Sequence, residues 1–367
     1  MKSVRTIIRI VFFAIARYFP FLLKIKKVRP SSLIVALTNR CNSKCVMCSY
    51  WKNTVTEELS FSELVRVFKE AGEAGVKAVT LYGGEPFLRK DIFDIISVVK
   101  ENGMTVGVIT NALLINEKMA EKIVKSGIIN ITISMDAVGD LNDELRGIKG
   151  AYEKSVKAIS FLQTAAIKLR STLDIQVGSI ISLKTIGDNG IIKIADLCET
   201  MNISFIPSLI DKTMPYYAGS EGGNLFVGGE KLKILDGVVD KLVEVRKKSP
   251  KLLPFSISAL KYIKRYFRDP ASRNIPCLRG ILGEVWLNTN GDLHTCAGLP
   301  PVGNIMHQGF NEIVFSKSWK NQTIKMFRKD CPGCSCTYNT NVESSFNFLV
   351  HKILEKIIYS DYKNKGK

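Results

Sequence analysis

Three cysteines fall within eight positions of the stretch LTNRCNSKCVMCSYW, residues 37–51, in a chain of 367 residues that has nine cysteines. Cys41, Cys45 and Cys48 have the spacing C-x3-C-x2-C. An odd cluster with no recognisable export signal indicates reduced thiols that bind metal rather than disulfides. A structural zinc site takes four ligands, and no fourth Cys or His lies nearby in the sequence. A 4Fe-4S cubane held by three thiolates instead leaves one iron open for a non-protein ligand.

A second set of cysteines lies near the C-terminus. Cys277 and Cys296 bracket an alternating apolar segment whose Asn290-Gly291-Asp292 turn predicts a β-hairpin. Cys331 and Cys334 follow with C-x2-C spacing. Four converging thiolates form a closed shell for zinc or for a 4Fe-4S cluster, and the geometry alone favours zinc.

Two further cysteines are interpreted differently. Cys336 is a spare thiol that could replace Cys334 as a ligand. Cys198 lies in a predicted amphipathic helix, where a free cysteine is expected to be buried packing.

The chain from residue 31 to about residue 210 alternates short apolar runs with longer amphipathic runs. The predicted strands are 33–37, 78–82, 105–109, 129–134, 173–181 and 203–207. The predicted helices are 60–74, 91–102, 116–126, 151–168 and 187–201. This alternation predicts an α/β fold with a parallel sheet, and six units favour a partial (β/α)6 barrel over a complete eight-unit barrel. Ligands of such folds bind at the carboxyl ends of the strands.

Polar motifs follow the second, third and fourth predicted strands. Gly83-Gly84-Glu85-Pro86 comes first; its glycines allow the backbone close to a ligand, Glu85 can accept hydrogen bonds from a cationic amino group, and Pro86 stiffens the turn. Thr110 and Asn111 follow the third strand, and Ser134 and Asp136 follow the fourth. Taken singly, the first motif could be a plain β-turn and the last a helix N-cap.

These motifs, in this order, resemble the radical S-adenosylmethionine (radical SAM) superfamily. Its three-cysteine loop, its GGEP element and its frequent T-N-G element are matched here, the last with Ala112 in the glycine position. The resemblance implies that S-adenosylmethionine chelates the open iron through its amine and carboxylate. It further implies cofactor contacts by Gly83, Gly84, Glu85, Pro86, Thr110 and Asn111, ribose contacts by Ser134 and Asp136, and a carboxylate contact by Arg146, which could equally be a surface residue.

The resemblance also implies a reaction. An electron from the reduced cluster cleaves the cofactor to a 5'-deoxyadenosyl radical, which abstracts hydrogen from a substrate C–H bond, and a flavodoxin or ferredoxin supplies the electron. The C-terminal cysteines resemble the shortened SPASM, or twitch, extension, which holds one auxiliary 4Fe-4S cluster on Cys277, Cys296, Cys331 and Cys334. The longer SPASM form requires further cysteines, and the chain has none after Cys336.

The charge of the chain is strongly positive and unevenly placed. With 52 basic and 34 acidic residues the formal net charge is +18, which favours an anionic partner. Residues 1–30 contain basic side chains and no acid. Because Arg9 and Arg17 interrupt the apolar sequence, this segment has no apolar run long enough to span a bilayer. The pattern predicts an interfacial helix on an anionic membrane surface, at the cytoplasmic face, although simple packing on the fold is the alternative. A secretory signal is discounted because its apolar core is too short.

Five segments are predicted. They are a basic amphipathic segment (1–30), the partial barrel (31–210), a linker or lid with helices (211–275), the auxiliary-cluster extension (276–340) and a C-terminal amphipathic helix with a basic tail (341–367). The linker could cover the substrate or be an ordinary surface connection.

Two substrate classes and one non-enzymatic alternative follow from these features. The basic N-terminus favours a lipid-linked or small sugar or lipid substrate at the membrane. The alternative is maturation of a ribosomal peptide with a separate recognition partner, because thirty residues before the barrel are too few for a fused recognition domain. A non-enzymatic zinc-binding membrane adaptor is a remote third possibility. No nucleic-acid partner is expected, since no RNA-binding module is visible. The substrate itself and the oligomeric state are not specified by these residues.

Overall fold

A single sheet organises the described part of the chain. The computed structural model describes residues 29–52, 57–187, 190–211, 224–271, 277, 283–328, 330 and 331. Elements are numbered over those residues. The strands are β1 (Ser32–Ala36), β2 (Ala78–Tyr82), β3 (Thr105–Thr110), β4 (Asn130–Ser134), β5 (Asp174–Ile181), β6 (Ser204–Leu209), β7 (Glu284–Leu287), β8 (Asp292–His294) and β9 (Gly303–Asn304).

The sheet has the order β6-β5-β4-β3-β2-β1-β7-β8-β9. Strands β1 to β6 pair in parallel with their sequence neighbours, and the two ends of the sheet do not pair with each other. This open parallel arrangement confirms the partial barrel. The predicted hairpin is β7–β8, which is antiparallel. Its first strand lies parallel beside β1, so the C-terminal extension continues the barrel sheet.

Helices connect the parallel strands. They are α1 (Phe61–Ala74), α2 (Ile92–Glu101), α3 (Glu117–Lys125), α4 (Asp140–Arg146), α5 (Ala151–Lys168), α6 (Ile191–Thr200), α7 (Lys231–Lys248), α8 (Ile257–Arg268), α9 (Phe310–Val314) and α10 (Lys317–Arg328). Local signals set their ends. Helix α1 begins with a capping box between Ser60 and Glu63 and ends at Gly75, whose φ of 104° is left-handed.

The main core lies between the sheet and the helices. Strand residues alternate, and those that face the helices, such as Leu33, Val35, Val106 and Val108, are fully buried. Burying each such side chain stabilises the fold by about 1.5–3 kcal/mol. Residues of the opposite strand face, which we call the inner face, are only partly buried: Ile34, Thr80, Tyr82, Gly107, Thr132, Ser134, Gln176, Gly178 and Ile180. A partly open inner face leaves room for a ligand.

The predicted elements agree with the observed ones to within a few residues. The short helix α4 was not predicted. Cys198 is fully buried on α6, which confirms its expected packing role. The amphipathic helices expected within 1–30 and 341–367 lie almost entirely outside the described residues. So do residues 212–223 and 272–275 of the predicted linker or lid, whereas the rest of that segment is described and contains α7 and α8. In the part of the chain that the structure describes, no helix is long and apolar enough to cross a membrane.

Candidate active site

The three-cysteine loop leaves the carboxyl end of β1. The Cys45 side chain is buried, whereas Cys41 and Cys48 are half-buried. The loop folds back on itself, because the Cys48 amide donates to the Cys45 carbonyl over 3.2 Å and Trp51 Nε1 donates to the same carbonyl over 3.1 Å. The thiols therefore lie at the end of the sheet where the sequence predicted them.

The two glycines after β2 bring that loop against the cysteine loop. The Gly84 amide donates to the Thr38 carbonyl over 2.7 Å, and the Glu85 amide donates to the Arg40 carbonyl over 2.8 Å. A Cβ at Gly84 would lie 2.1 Å from the Arg40 carbonyl oxygen, and one at Gly83 would lie 2.5 Å from that of Thr38. We expected these glycines to admit a ligand. The close approach seen here is instead to the protein's own backbone, which fixes where the cysteine loop begins.

Glu85 is fully buried between the loops after β2 and β3. Its Oε1 accepts hydrogen bonds from Thr110 Oγ1 over 2.8 Å and from the Phe87 amide over 3.1 Å, and its Oε2 accepts one from the Asn111 amide over 2.8 Å. Burial raises the pKa of Glu85 to about 7, although these hydrogen bonds oppose the rise. Pro86 begins the short 3-10 turn Pro86–Leu88 that follows. A carboxylate of this kind can accept a further hydrogen bond from a cation.

Asn111 connects the loop after β3 to the cysteine loop. Its Nδ2 donates to Asn42 Oδ1 over 2.7 Å and lies 3.8 Å from Cys41 Sγ. The next residue, Ala112, has a φ of 64°. Such left-handed backbone favours glycine, so the structure explains why a T-N-G element would have glycine here.

Arg146 and Asp136 form a buried ion pair beside the cysteine loop. Arg146 Nη2 lies 2.8 Å from Asp136 Oδ2, and the two side chains are 11% and 0% exposed. Asp136 Oδ1 accepts a hydrogen bond from the Ile180 amide over 2.7 Å. Burial raises the pKa of Asp136, while Arg146 and this amide favour the ionised form. Arg146 is therefore not a surface residue, and the contact of Asp136 Oδ2 is its ion pair with the guanidinium. Ser134, at the end of β4, is half-buried.

The C-terminal end of α4 holds the middle of the cysteine loop. The Lys44 amide and Ser43 Oγ donate to the Arg146 carbonyl over 3.2 and 2.6 Å, and the Val46 amide donates to the Leu145 carbonyl over 3.0 Å. The helix ends at Gly147, whose φ is 66°. A Cβ there would lie 2.4 Å from the Lys44 carbonyl oxygen. Sequence reasoning missed this contact, although a glycine directly after DELR is a helix-end signal that could have indicated α4.

Two further contacts at the end of β1 were also missed. Arg89 Nη1 donates to the carbonyls of Leu37 and Leu59, over 3.0 and 2.9 Å. Asn39 Nδ2 donates to Thr289 Oγ1 over 2.9 Å, and both residues are buried. Thr289 lies in the turn between β7 and β8, so the C-terminal hairpin contacts the start of the cysteine loop directly.

The thiols are poised for a metal cluster rather than for free thiolate chemistry. Burial raises the pKa of Cys41 to about 12 and that of Cys48 to about 11, and the neighbouring Cys45 adds to both shifts. Binding of a metal would favour the thiolate form, because the thiolate is the ligand. Within the described ranges, no three Cys, His, Asp or Glu side chains converge tightly enough for one metal ion. A cubane places each thiolate on a separate iron. The chemistry of the donor set fits a 4Fe-4S cluster, because Asn111 Nδ2 lies 3.8 Å from Cys41 Sγ and Arg146 Nη1 lies 4.0 Å from Cys45 Sγ.

The second cysteine set is only partly described. Cys277 is buried, and its amide donates to the Met326 carbonyl near the end of α10 over 3.4 Å. Cys296 follows β8, and Cys331 follows α10. Cys334 and Cys336 lie outside the described residues. The auxiliary site thus stays a prediction.

Comparison with known proteins identifies a family for part of the chain. The model of the radical SAM superfamily matches residues 35–188. The Fe-coproporphyrin III synthase of Methanosarcina barkeri is 31% identical over 42% of this chain and 40% of its own length. The PqqA peptide cyclase of Granulibacter bethesdensis is 35% identical over 38% of each chain. The chain thus spans about two fifths of the length of these relatives.

The fold is shared with a solved structure over a longer range. Streptococcus suis SuiB, crystallised with S-adenosylmethionine and also with the precursor peptide SuiA, superposes with TM-scores of 0.62 and 0.61. The S-adenosylmethionine complex is 17% identical and covers 82% of this chain and 70% of SuiB. The family uses S-adenosylmethionine and a 4Fe-4S cluster, in keeping with the donor set described above. The cysteine loop and the motifs at the strand ends lie within the range that the family model matches, which identifies residues 35–188 as a radical SAM domain.

Proposed function

We propose that this enzyme abstracts hydrogen from a C–H bond of a peptide, using a 4Fe-4S cluster on Cys41, Cys45 and Cys48. The observation that carries the proposal is the gathering of the three thiols with Glu85, Asn111 and Arg146 at one end of the parallel sheet. When bound, the cluster and S-adenosylmethionine supply one-electron cleavage of the cofactor and hydrogen-atom abstraction. The chain supplies binding, orientation and shielding.

The proposed cofactor contacts come from three strand ends. Glu85 accepts hydrogen bonds from the cofactor amine, and Thr110 and Asn111 hold Glu85 in place. Ser134, on the half-buried inner face, contacts the ribose. Gly83, Gly84 and Pro86 shape the loop that carries Glu85, and Arg146 with Asp136 lies on the cluster side.

Three aromatic side chains contact one another between the cysteine loop and the inner face. Tyr82 contacts Tyr50 and Trp286 edge to face, with ring centroids 6.2 and 5.8 Å apart. Tyr50 also donates a hydrogen bond to the Tyr82 hydroxyl over 3.3 Å. Rigid, partly buried rings exclude water near a reactive radical and offer flat surfaces to a substrate. We infer that the substrate binds on this face.

A peptide is the substrate class that the relatives favour. The relatives include a peptide cyclase, and SuiB has been crystallised with its precursor peptide. The lipid-linked substrate rested on residues 1–30, almost all of them outside the described residues, and no relative named here supports it. A separately encoded partner would recognise the peptide, and a flavodoxin or ferredoxin would supply electrons.

An iron porphyrin is the second candidate substrate, because an Fe-coproporphyrin III synthase is among the relatives. The proposed auxiliary 4Fe-4S cluster on Cys277, Cys296, Cys331 and Cys334 is compatible with either candidate. In both cases it would accept an electron from the substrate or hold the extension in place.

Isotope transfer tests the substrate class. Anaerobically reconstituted enzyme is incubated with dithionite, S-adenosylmethionine and short perdeuterated peptides encoded beside its gene. We expect deuterium in the 5'-deoxyadenosine and a mass change in the peptide. Transfer only from a deuterated porphyrin, or only from lipid in anionic vesicles, would contradict the peptide proposal.

A further inference from the structure

Arg146 lies between a buried carboxylate and the thiols of the cysteine loop. Its Nη2 pairs with Asp136 over 2.8 Å, while its Nη1 lies 4.0 Å from Cys45 Sγ. The guanidinium therefore faces Cys45, one of the three proposed cluster ligands.

Several contacts fix Arg146 in this position. Asp136 is itself held by the amide of Ile180, and its own amide donates to Asn142 Oδ1 over 3.0 Å. The Arg146 carbonyl accepts hydrogen bonds from the cysteine loop. Side chain and backbone of one residue thus contact the loop, and a planar guanidinium keeps its orientation better than a flexible ammonium.

Two buried donors near the Asp136–Arg146 pair are unsatisfied. Among the described residues, Nε of Arg146 and Nδ2 of Asn142 have no hydrogen-bond partner. An unpaired buried donor costs about 1–3 kcal/mol, so such donors are usually present for a ligand or water. Because Nε belongs to the guanidinium whose Nη1 lies 4.0 Å from Cys45 Sγ, it fits donation to the negatively charged sulfur of a cluster.

We propose that Arg146, held by Asp136, is a positioning residue that raises the reduction potential of the cluster. The inference rests on the proposed cluster at Cys41, Cys45 and Cys48. Reduction adds one negative charge to the cluster, and a nearby positive charge in a low-dielectric site stabilises that charge. The negative charge of Asp136 offsets part of this effect. The reduction potential of the cluster is therefore lower than it would be with Arg146 alone and higher than it would be with Asp136 alone. The family resemblance had instead placed Arg146 on the cofactor carboxylate.

The test is the midpoint potential of the cluster without S-adenosylmethionine, measured by an EPR-monitored redox titration. In Arg146→Gln we expect the ratio of reduced to oxidised cluster at a fixed potential to fall at least tenfold, about 59 mV for a one-electron couple. Arg146→Lys keeps the charge and should recover most of this loss. Asp136→Asn should shift the ratio the opposite way. If Asp136→Asn does not fold, the reduction potentials of the two Arg146 variants test the proposal on their own.

Matched measurements separate the possible failures. Lys149→Gln removes an exposed charge three residues away and should shift the potential much less than Arg146→Gln. An equal shift in both variants would overturn the proposal, because net charge alone would explain it. An unchanged potential in Arg146→Gln, with weakened S-adenosylmethionine binding, would also overturn it in favour of the carboxylate role. Absence of a 4Fe-4S cluster from the wild-type protein would instead refute the proposed function.

Discussion

The Thr110 hydroxyl donates a hydrogen bond to Glu85 Oε1 over 2.8 Å, although the two residues are 25 positions apart in the chain. The bond joins the loop after β2 to the end of β3. Because the Glu85 amide also donates to the Arg40 carbonyl, these contacts extend to the cysteine loop. Glu85 is therefore a structural link as well as the proposed partner of the cofactor amine.

Glu85→Gln should remove a pH dependence of folding stability. A folded pKa of about 7 means that the native state keeps a proton that the unfolded state, with a pKa near 4.3, has lost. The contribution of Glu85 to stability therefore falls as pH rises between these values, by about 3 kcal/mol in all, and is level above pH 7. Denaturant titrations of the apo protein at several pH values measure the difference.

The exposed Glu101 provides the matched control for this prediction. Glu101→Gln should retain the wild-type dependence on pH. A constant stability difference between wild type and Glu85→Gln from pH 4.5 to pH 7.5 would show that burial does not perturb Glu85.

Gly84→Ala should displace the cysteine loop. The added Cβ would lie 2.1 Å from a backbone oxygen that no side-chain rotation can move. We expect destabilisation of about 1–3 kcal/mol and lower iron content after reconstitution. Gly237→Ala is the contrasting variant, since it lies within α7 and its Cβ meets no atom within 4 Å. That change should stabilise the protein by about 0.5–1 kcal/mol, and equal behaviour of the two variants would contradict the close-approach argument.

Asn111→Ala should weaken retention of the cluster. The variant loses the donor to Asn42 and the amide 3.8 Å from Cys41 Sγ. Residues that support metal ligands typically contribute about 10-fold or more to metal affinity, so iron release to a chelator should accelerate to that extent. Asn116→Ala removes only the N-cap of α3, at about 1 kcal/mol, and should release iron at the wild-type rate. Similar rates of iron release from both variants would contradict a role of Asn111 in retaining the cluster.

The Asn39–Thr289 hydrogen bond should couple the C-terminal hairpin to the cysteine loop. A double-mutant cycle with Asn39→Ala and Thr289→Val should give a coupling free energy of about 1 kcal/mol, because both partners are buried. The exposed pair Asn290 and Asp292, in the same turn, is the comparison and should couple more weakly. A coupling of zero for the buried pair would mean that the hairpin docks independently of this contact.

The sequence predicted the strands and the site residues they carry for a physical reason. Apolar alternation determines which strand face is buried, and parallel strands bring their carboxyl ends to one edge. Cys41, Glu85 and Asn111 therefore had to lie near one another whatever the details of their contacts. The spacing of the three cysteines in addition indicated a 4Fe-4S cluster.

Other features could not be predicted, because they depend on distant backbone contacts. The glycines after β2 fit against Thr38 and Arg40, which no local pattern records. The seven-residue helix α4 has too few turns for a clear period. The parallel pairing of β7 with β1 joins residues some 250 positions apart, and a hairpin signal says nothing of its neighbour.

The most direct test of the central claim is iron and sulfide counting on anaerobically reconstituted wild type and on the Cys41→Ala, Cys45→Ala, Cys48→Ala triple variant. If these cysteines hold a 4Fe-4S cluster, the triple variant should lose about four irons and four sulfides per chain and the EPR signal of the site. It should also make no 5'-deoxyadenosine. An unchanged iron count, or a colourless wild-type protein that binds zinc, would contradict the account.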